Sequence, residues 1–105
     1  MGTKNISYKV WQTEDENQEF LSYKKERFNF SKYNLKYEGT IVVDKINEKE
    51  DLKCLEELFF ILNCMHPADY HTRSLSVSDV VEINNNFYFC DSFCWRPLSK
   101  NEVNK

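Results

Sequence analysis

Apolar and polar residues alternate along residues 6–11, which predicts a strand with Ile6, Tyr8 and Val10 facing inward and Trp11 turned to the opposite face. Thr13 and Glu16 have the spacing of a capping box, in which a hydroxyl and a carboxylate satisfy free amides at a helix start. A short N-terminal helix is predicted behind them, with Phe20, Leu21 and Tyr23 in one stripe and Lys24, Lys25, Glu26 and Arg27 as its solvated end. Phe28, Phe30 and Tyr33 then mark an irregular aromatic connection. A second strand over residues 34–43 carries Leu35, Tyr37, Ile41 and Val43 and is expected to bend or bulge at Gly39.

The strongest periodicity is Leu52, Leu55, Leu58, Phe59 and Leu62, which recur at helical spacing and predict a helix over residues 48–63. Asn47 and Glu50 suit its start, and Pro67 stops it by disfavouring helical geometry at His66. A polar loop runs on through Arg73. Residues 78–83 and 87–92 are β-branched and aromatic, and Asn84, Asn85 and Asn86 tolerate the positive φ of a tight turn, so this pair is predicted to be a hairpin. Residues 93–98 are predicted as a short edge strand, because Pro97 cannot donate a ladder hydrogen bond. The expected class is α+β: a small, mainly antiparallel sheet of about four to five strands packed on one long helix, plus the shorter N-terminal helix. Residues 1–98 form the domain, and 99–105 a polar tail that frays.

Composition narrows the function classes. With 105 residues the chain makes one domain. Gly2 and Gly39 are its only glycines, so neither phosphate-cradling glycine loop is present. A formal charge of −3 and a pI near 5.4 disfavour direct nucleic-acid binding, which needs clustered cations to displace counterions. No apolar run has the length of a signal peptide or a membrane span, so a cytoplasmic location without a membrane partner is expected. In that compartment Cys54, Cys64, Cys90 and Cys94 stay reduced, and buried thiols are the expected role.

Three blocks in order carry a family resemblance. They are His66-Pro67-Ala68-Asp69-Tyr70, the run Ser74-Leu75-Ser76-Val77-Ser78-Asp79-Val80-Val81, and Tyr88-Phe89-Cys90-Asp91-Ser92-Phe93. This arrangement resembles the YodL-like family, in which a helix ending in Asn precedes an H-P-A-D-[FY] turn, an S-L-S-V-S-D-V-V block, a hairpin and a closing Y-x-x-D-S-F-G-[FW]. The match is closest over residues 63–95 and thins upstream to Tyr8-Lys9-Val10-Trp11 and Tyr37-Glu38-Gly39. Cys94 departs from the pattern, standing where the family usually has glycine, so the backbone there either does without positive φ or is strained. The resemblance implies a small bacterial module of conjugative elements, phages and plasmids, with no enzymatic activity established. It implies an inhibitory binding role, against the actin-like cell-shape filament MreB or against a host defence machine such as a CRISPR or restriction nuclease. It assigns no catalytic or binding residue.

The residues themselves suggest where such binding would occur. Tyr70, Tyr88 and Trp95 fall in the loop, at strand ends or on the less apolar strand face, where large amphipathic rings anchor a protein partner, and Arg73 and Arg96 flank them. These five form the expected partner-binding face within residues 66–98. Asp79 and Asp91, each beside a serine, are expected to pin the loop carrying Ser76 and Ser78 onto the hairpin; a paired-carboxylate acid/base site would need a cleft and a third group. An alternative face is acidic: Glu50, Asp51, Glu56 and Glu57 on the helix would imitate a nucleic-acid backbone in a nuclease groove. A thiol- or metal-dependent enzyme using Cys64, Cys90 or Cys94 with His66 or His71 is the remaining reading, but the spacing matches no metal motif. No metal and no cofactor are expected, the partner is a host protein, and oligomeric state is left open.

Overall fold

A computed structural model describes residues 2–16, 19–24, 27–44, 51–65, 67–72, 74–92 and 94–103. Five strands form one antiparallel sheet: β1 (Thr3–Gln12), β2 (Asn34–Asp44), β3 (Val80–Ile83), β4 (Asn86–Cys90) and β5 (Trp95–Leu98), in the order β2-β1-β3-β4-β5. Between β2 and β3 lies the helix α1 (Asp51–Cys64), and a single turn of helix, α2 (Lys100–Val103), follows β5. Among the described residues the α+β architecture is thus a five-stranded sheet with one substantial helix.

Strand alternation divides the apolar side chains between the two sheet faces. Ile6, Tyr8, Val10, Ile41, Val81 and Ile83 share one buried cluster with Cys54, Leu55, Leu58 and Leu62 of α1. On the opposite face Val80 and Phe89 are buried with Tyr33, and Trp11, Tyr23, Phe28, Phe30, Phe87 and Leu98 pack around them. Trp11 meets Phe30 at a ring separation of 5.0 Å, so the aromatic connection after β1 is what covers this second face.

The chain between β1 and β2 therefore differs from the sequence expectation. Thr13 Oγ1 accepts from Asp15 N at 3.1 Å, as a helix cap would, but it also donates to Lys32 O at 2.8 Å. Among the described residues no N-terminal helix follows; Glu19 N bonds Asp15 O at 2.8 Å, and the path then leaves helical geometry at Phe20, whose φ is 62°. Phe20 N donates to Ser78 Oγ at 2.8 Å, fixing the segment to the loop before β3. Residues 17, 18, 25 and 26, which include Lys25 and Glu26 of the expected helix, lie outside the described residues.

The bulge in β2 also falls elsewhere. Val10 pairs with Tyr37 and Trp11 with Leu35, so the extra residue is Lys36 rather than Gly39. Gly39 has a different reason to lack a side chain: a Cβ there would lie 2.6 Å from Tyr8 Oη and 2.7 Å from Tyr37 Cε2. The two rings fill the space over the glycine. Gly39→Ala is therefore expected to destabilise by about 1–3 kcal/mol through overpacking, measured by urea unfolding, with Tyr8→Phe in the same chain recovering part of the loss.

The remaining elements follow their local chemistry. Asn84 and Asn85 have φ of 51° and 65° and join Ile83 to Asn86, the geometry of a two-residue type I′ hairpin turn. Asn86 itself opens β4. Pro97 lies on the edge strand, with its missing N–H directed away from β4 because the β4–β5 register is continuous through it. In the tail expected to fray, Ser99 and Glu102 form a reciprocal cap: Ser99 N donates to Glu102 Oε1 at 2.9 Å and Glu102 N to Ser99 Oγ at 3.3 Å. The expected helix start at Asn47 and Glu50 lies outside the described residues.

Candidate functional site: a pinned loop and an apolar groove

The loop before β3 is held by buried polar groups. Asp79 is 0% exposed, and its Oδ2 accepts from Gln12 Nε2 at 3.0 Å and from Ser76 N at 2.9 Å. Gln12 follows Ile6, Tyr8 and Val10 in the inward alternation of β1, so strand geometry delivers an amide into the core beside that carboxyl. Its Oε1 accepts from Thr72 Oγ1 at 2.6 Å, which adds a second point of the loop. Asn63 makes a third: at the end of α1 its side chain accepts from Leu75 N at 2.7 Å and donates to Leu75 O at 3.0 Å. Ser78 has φ of 86°, and its carbonyl accepts from Tyr33 Oη at 2.5 Å. Loop, helix end and first strand are thus fixed to one another by bonds among buried polar groups.

Asp91 acts at the far end of the hairpin. Its Oδ1 accepts from Ser92 N at 2.8 Å and from Tyr23 N at 3.4 Å, and its Oδ2 lies 3.5 Å from Arg96 Nε. The Arg96 guanidinium also sits 4.8 Å from the centre of the Tyr23 ring, a cation–π distance. Tyr23 Oη in turn bonds Glu102 of α2.

Of the five residues expected to form a partner-binding face, Tyr70, Tyr88 and Trp95 gather in or against the α1-side cluster, whereas Arg96 faces away from it. Tyr70 is only 4% exposed and meets Tyr37 edge to face at 5.0 Å inside the α1-side cluster, so it offers no surface; a ring in a polar loop was folded back to close a small core. Tyr88 is partly buried against the same cluster, with its hydroxyl on Asp51. Arg96 and Trp95 are neighbours in β5 and so point to opposite faces. Arg73 lies outside the described residues, as do His66 and Phe93.

Trp95 is the member that lines an opening. It packs edge to face on Phe59 of α1 at 6.4 Å, and the two rings bound a groove with Leu52, Glu56, Cys90, Asp91 and Cys94. Its volume is about 410 Å³. Leu52 and Phe59 were expected in the buried stripe of the helix, yet they are 55% and 38% exposed. Leu55, Leu58 and Leu62 are buried as expected and Cys54 joins them, which leaves Leu52 and Phe59 on the flank toward β5. Phe60, one residue on, is exposed as well.

The acidic face is similarly divided. Asp51 is engaged by the hairpin, accepting from Asn84 Nδ2 at 2.8 Å, Asn86 Nδ2 at 3.1 Å and Tyr88 Oη, so it anchors the start of α1 rather than presenting charge. Glu56 and Glu57 are exposed on the helix, and Glu50 lies outside the described residues. Of the four cysteines, all free, Cys54 and Cys90 are buried; Cys64 and Cys94, expected inside, are exposed. Burial, with the Asp79 and Asp91 carboxylates nearby, pushes the Cys90 thiol up to about 12, which leaves it a poor nucleophile at neutral pH. Among the described residues no three His, Cys, Asp or Glu side chains are grouped to hold a metal ion, and no helix is long and apolar enough to cross a membrane.

The residues missing from the sequence reading are Gln12, Asn63 and Thr72 in the loop clamp and Leu52 and Phe59 in the groove. Gln12 was visible as a polar side chain at the next inward position of β1. Nothing local in the sequence distinguishes Leu52 and Phe59 from buried helix residues. No curated protein and no solved structure matches the chain. The family model of the YodL-like domain does, over residues 6–100, from Ile6 within β1 to Lys100 at the start of α2. That span takes in the loop clamp and both walls of the groove, and by it the chain belongs to the YodL-like domain family.

Proposed function

We propose that this domain is a non-enzymatic inhibitory binding module, carried by a mobile genetic element or phage, that blocks a host defence machine of the CRISPR or restriction type. The observation that carries the binding reading is the α1–β5 groove, where Leu52 and Phe59 stand more than a third exposed beside Trp95. Large rings around a concave apolar centre with a polar rim have the composition of protein-interface anchors. The clamp on Asp79 supports the same reading, because a rigid surface loses little entropy on docking. The contact surface differs from residues 66–98: it adds Leu52, Glu56 and Phe59 of α1 and leaves Tyr70 and Arg96 out.

Co-purification from the native host tests the reading. The wild-type chain is expected to recover a nuclease complex, and Phe59→Ala with Trp95→Ala is expected to lose it while keeping the circular-dichroism spectrum. Truncating two such anchors costs about 2 kcal/mol or more each, which removes a complex of ordinary affinity. Recovery of MreB in place of a nuclease would transfer the target to the cell-shape filament. An activity that survives the double substitution but falls with Cys64→Ser would instead revive a thiol- or metal-dependent enzyme.

A further inference from the structure

Accepting the groove as the contact site, we infer that its occupant is a basic amphipathic helix, with apolar side chains entering between α1 and β5 and Lys or Arg residues flanking them. The first observation is steric. β5 is the edge strand, but it spans only Trp95–Leu98, and Pro97 removes a donor from its outward side. An added strand would find too few backbone partners there. Recognition must therefore run through side chains, and a helix offers them at i, i+3 and i+4 along the line of Leu52, Phe59 and Trp95.

The second observation is charge. Glu56 stands between Leu52 and Phe59 on the groove wall and is exposed, and Glu57 follows on the outer face of α1, whereas the Asp91 carboxylate at the groove is already paired with Arg96. No lysine or arginine lines the groove among the described residues. A carboxylate beside an apolar centre selects a cation next to the anchoring side chain and repels an acidic segment.

The probes are two synthetic peptides of about 15 residues, long enough to hold a helix, one of leucine and lysine and the other of leucine and glutamate in the same amphipathic order. Followed by NMR shift perturbation, the lysine peptide is expected to move the resonances of Leu52, Glu56, Phe59 and Trp95 and to bind about tenfold more tightly than the glutamate peptide. Glu56→Lys should reverse that preference without altering the folded spectrum, whereas Glu14→Lys, remote from the groove, should leave it unchanged. Equal binding of both peptides, binding of neither, or shifts confined to another surface would overturn the inference. If the peptides fail while co-purification still depends on Phe59 and Trp95, the partner class is wrong and the groove remains the contact site. If co-purification is also indifferent to those residues, both conclusions fall.

Discussion

Asp79→Ala is expected to cost about 2–4 kcal/mol, because it removes the acceptor of the buried Gln12 Nε2 and of the part-buried Ser76 N, a buried donor left unsatisfied costing about 1–3 kcal/mol and a part-buried one less. A domain of this kind has only about 5–15 kcal/mol in total, so the variant should unfold at much lower urea with an unchanged m-value. Asp79→Asn is expected to lose less, since a carbonyl oxygen remains to accept from one of the two donors. Faster amide exchange should appear first in Thr72 and residues 74–78, which the clamp holds. A loss below about 1 kcal/mol for Asp79→Ala would mean that water satisfies these groups and that the loop is not pinned in this way.

The second large effect is alkaline unfolding. Folding holds the Cys90 thiol neutral up to about 12 against an ordinary value of 9.0. Burial first and the neighbouring Tyr37 phenol second push the Tyr8 phenol up as well; burial and Asp51 do the same to Tyr88. Above pH 9 the unfolded chain releases protons that the native state retains, so stability falls as pH rises; below pH 9 this contribution is complete. Each group held neutral adds about 1.4 kcal/mol per pH unit of slope, the thiol from pH 9 to 12 and the phenols from pH 10 upward, with Tyr88 discounted for its partial exposure. Urea unfolding between pH 7 and 11 should show a plateau and then a steep decline, and Cys90→Ala should remove the earliest part of it. A flat profile to pH 11 would contradict the burial of these side chains as ionisable groups.

Much of the framework was legible because alternation and turn chemistry are local. Ile6, Tyr8 and Val10 announced β1, and the paired asparagines Asn84 and Asn85 announced the hairpin turn. What could not be read depended on contacts distant in the chain. The cap-like Thr13 makes no helix because its hydroxyl also reaches Lys32 O and because Ser78 captures Phe20 N, bonds that span 19 and 58 residues. Leu52 and Phe59 match the helical period as well as Leu55 and Leu58 do; only the rotation of α1 against the sheet decides which pair meets water. Tyr70 looked like an interface ring because it lies in a polar loop, yet Tyr37 and the helix cluster enclose it. The candidate site was therefore half visible: Trp95 was named, whereas its partners across the groove were hidden among ordinary core positions.

The proposed contact can be tested by placing a photo-crosslinking residue at position 56, on the groove wall, and separately at position 7, exposed on the polar part of the sheet face away from α1. In the native host, irradiation is expected to join the chain to one protein of the recovered complex from position 56 and to give no product from position 7. A crosslink from position 7 alone would show that the partner sits on the other side of the sheet, contrary to the role assigned to the groove.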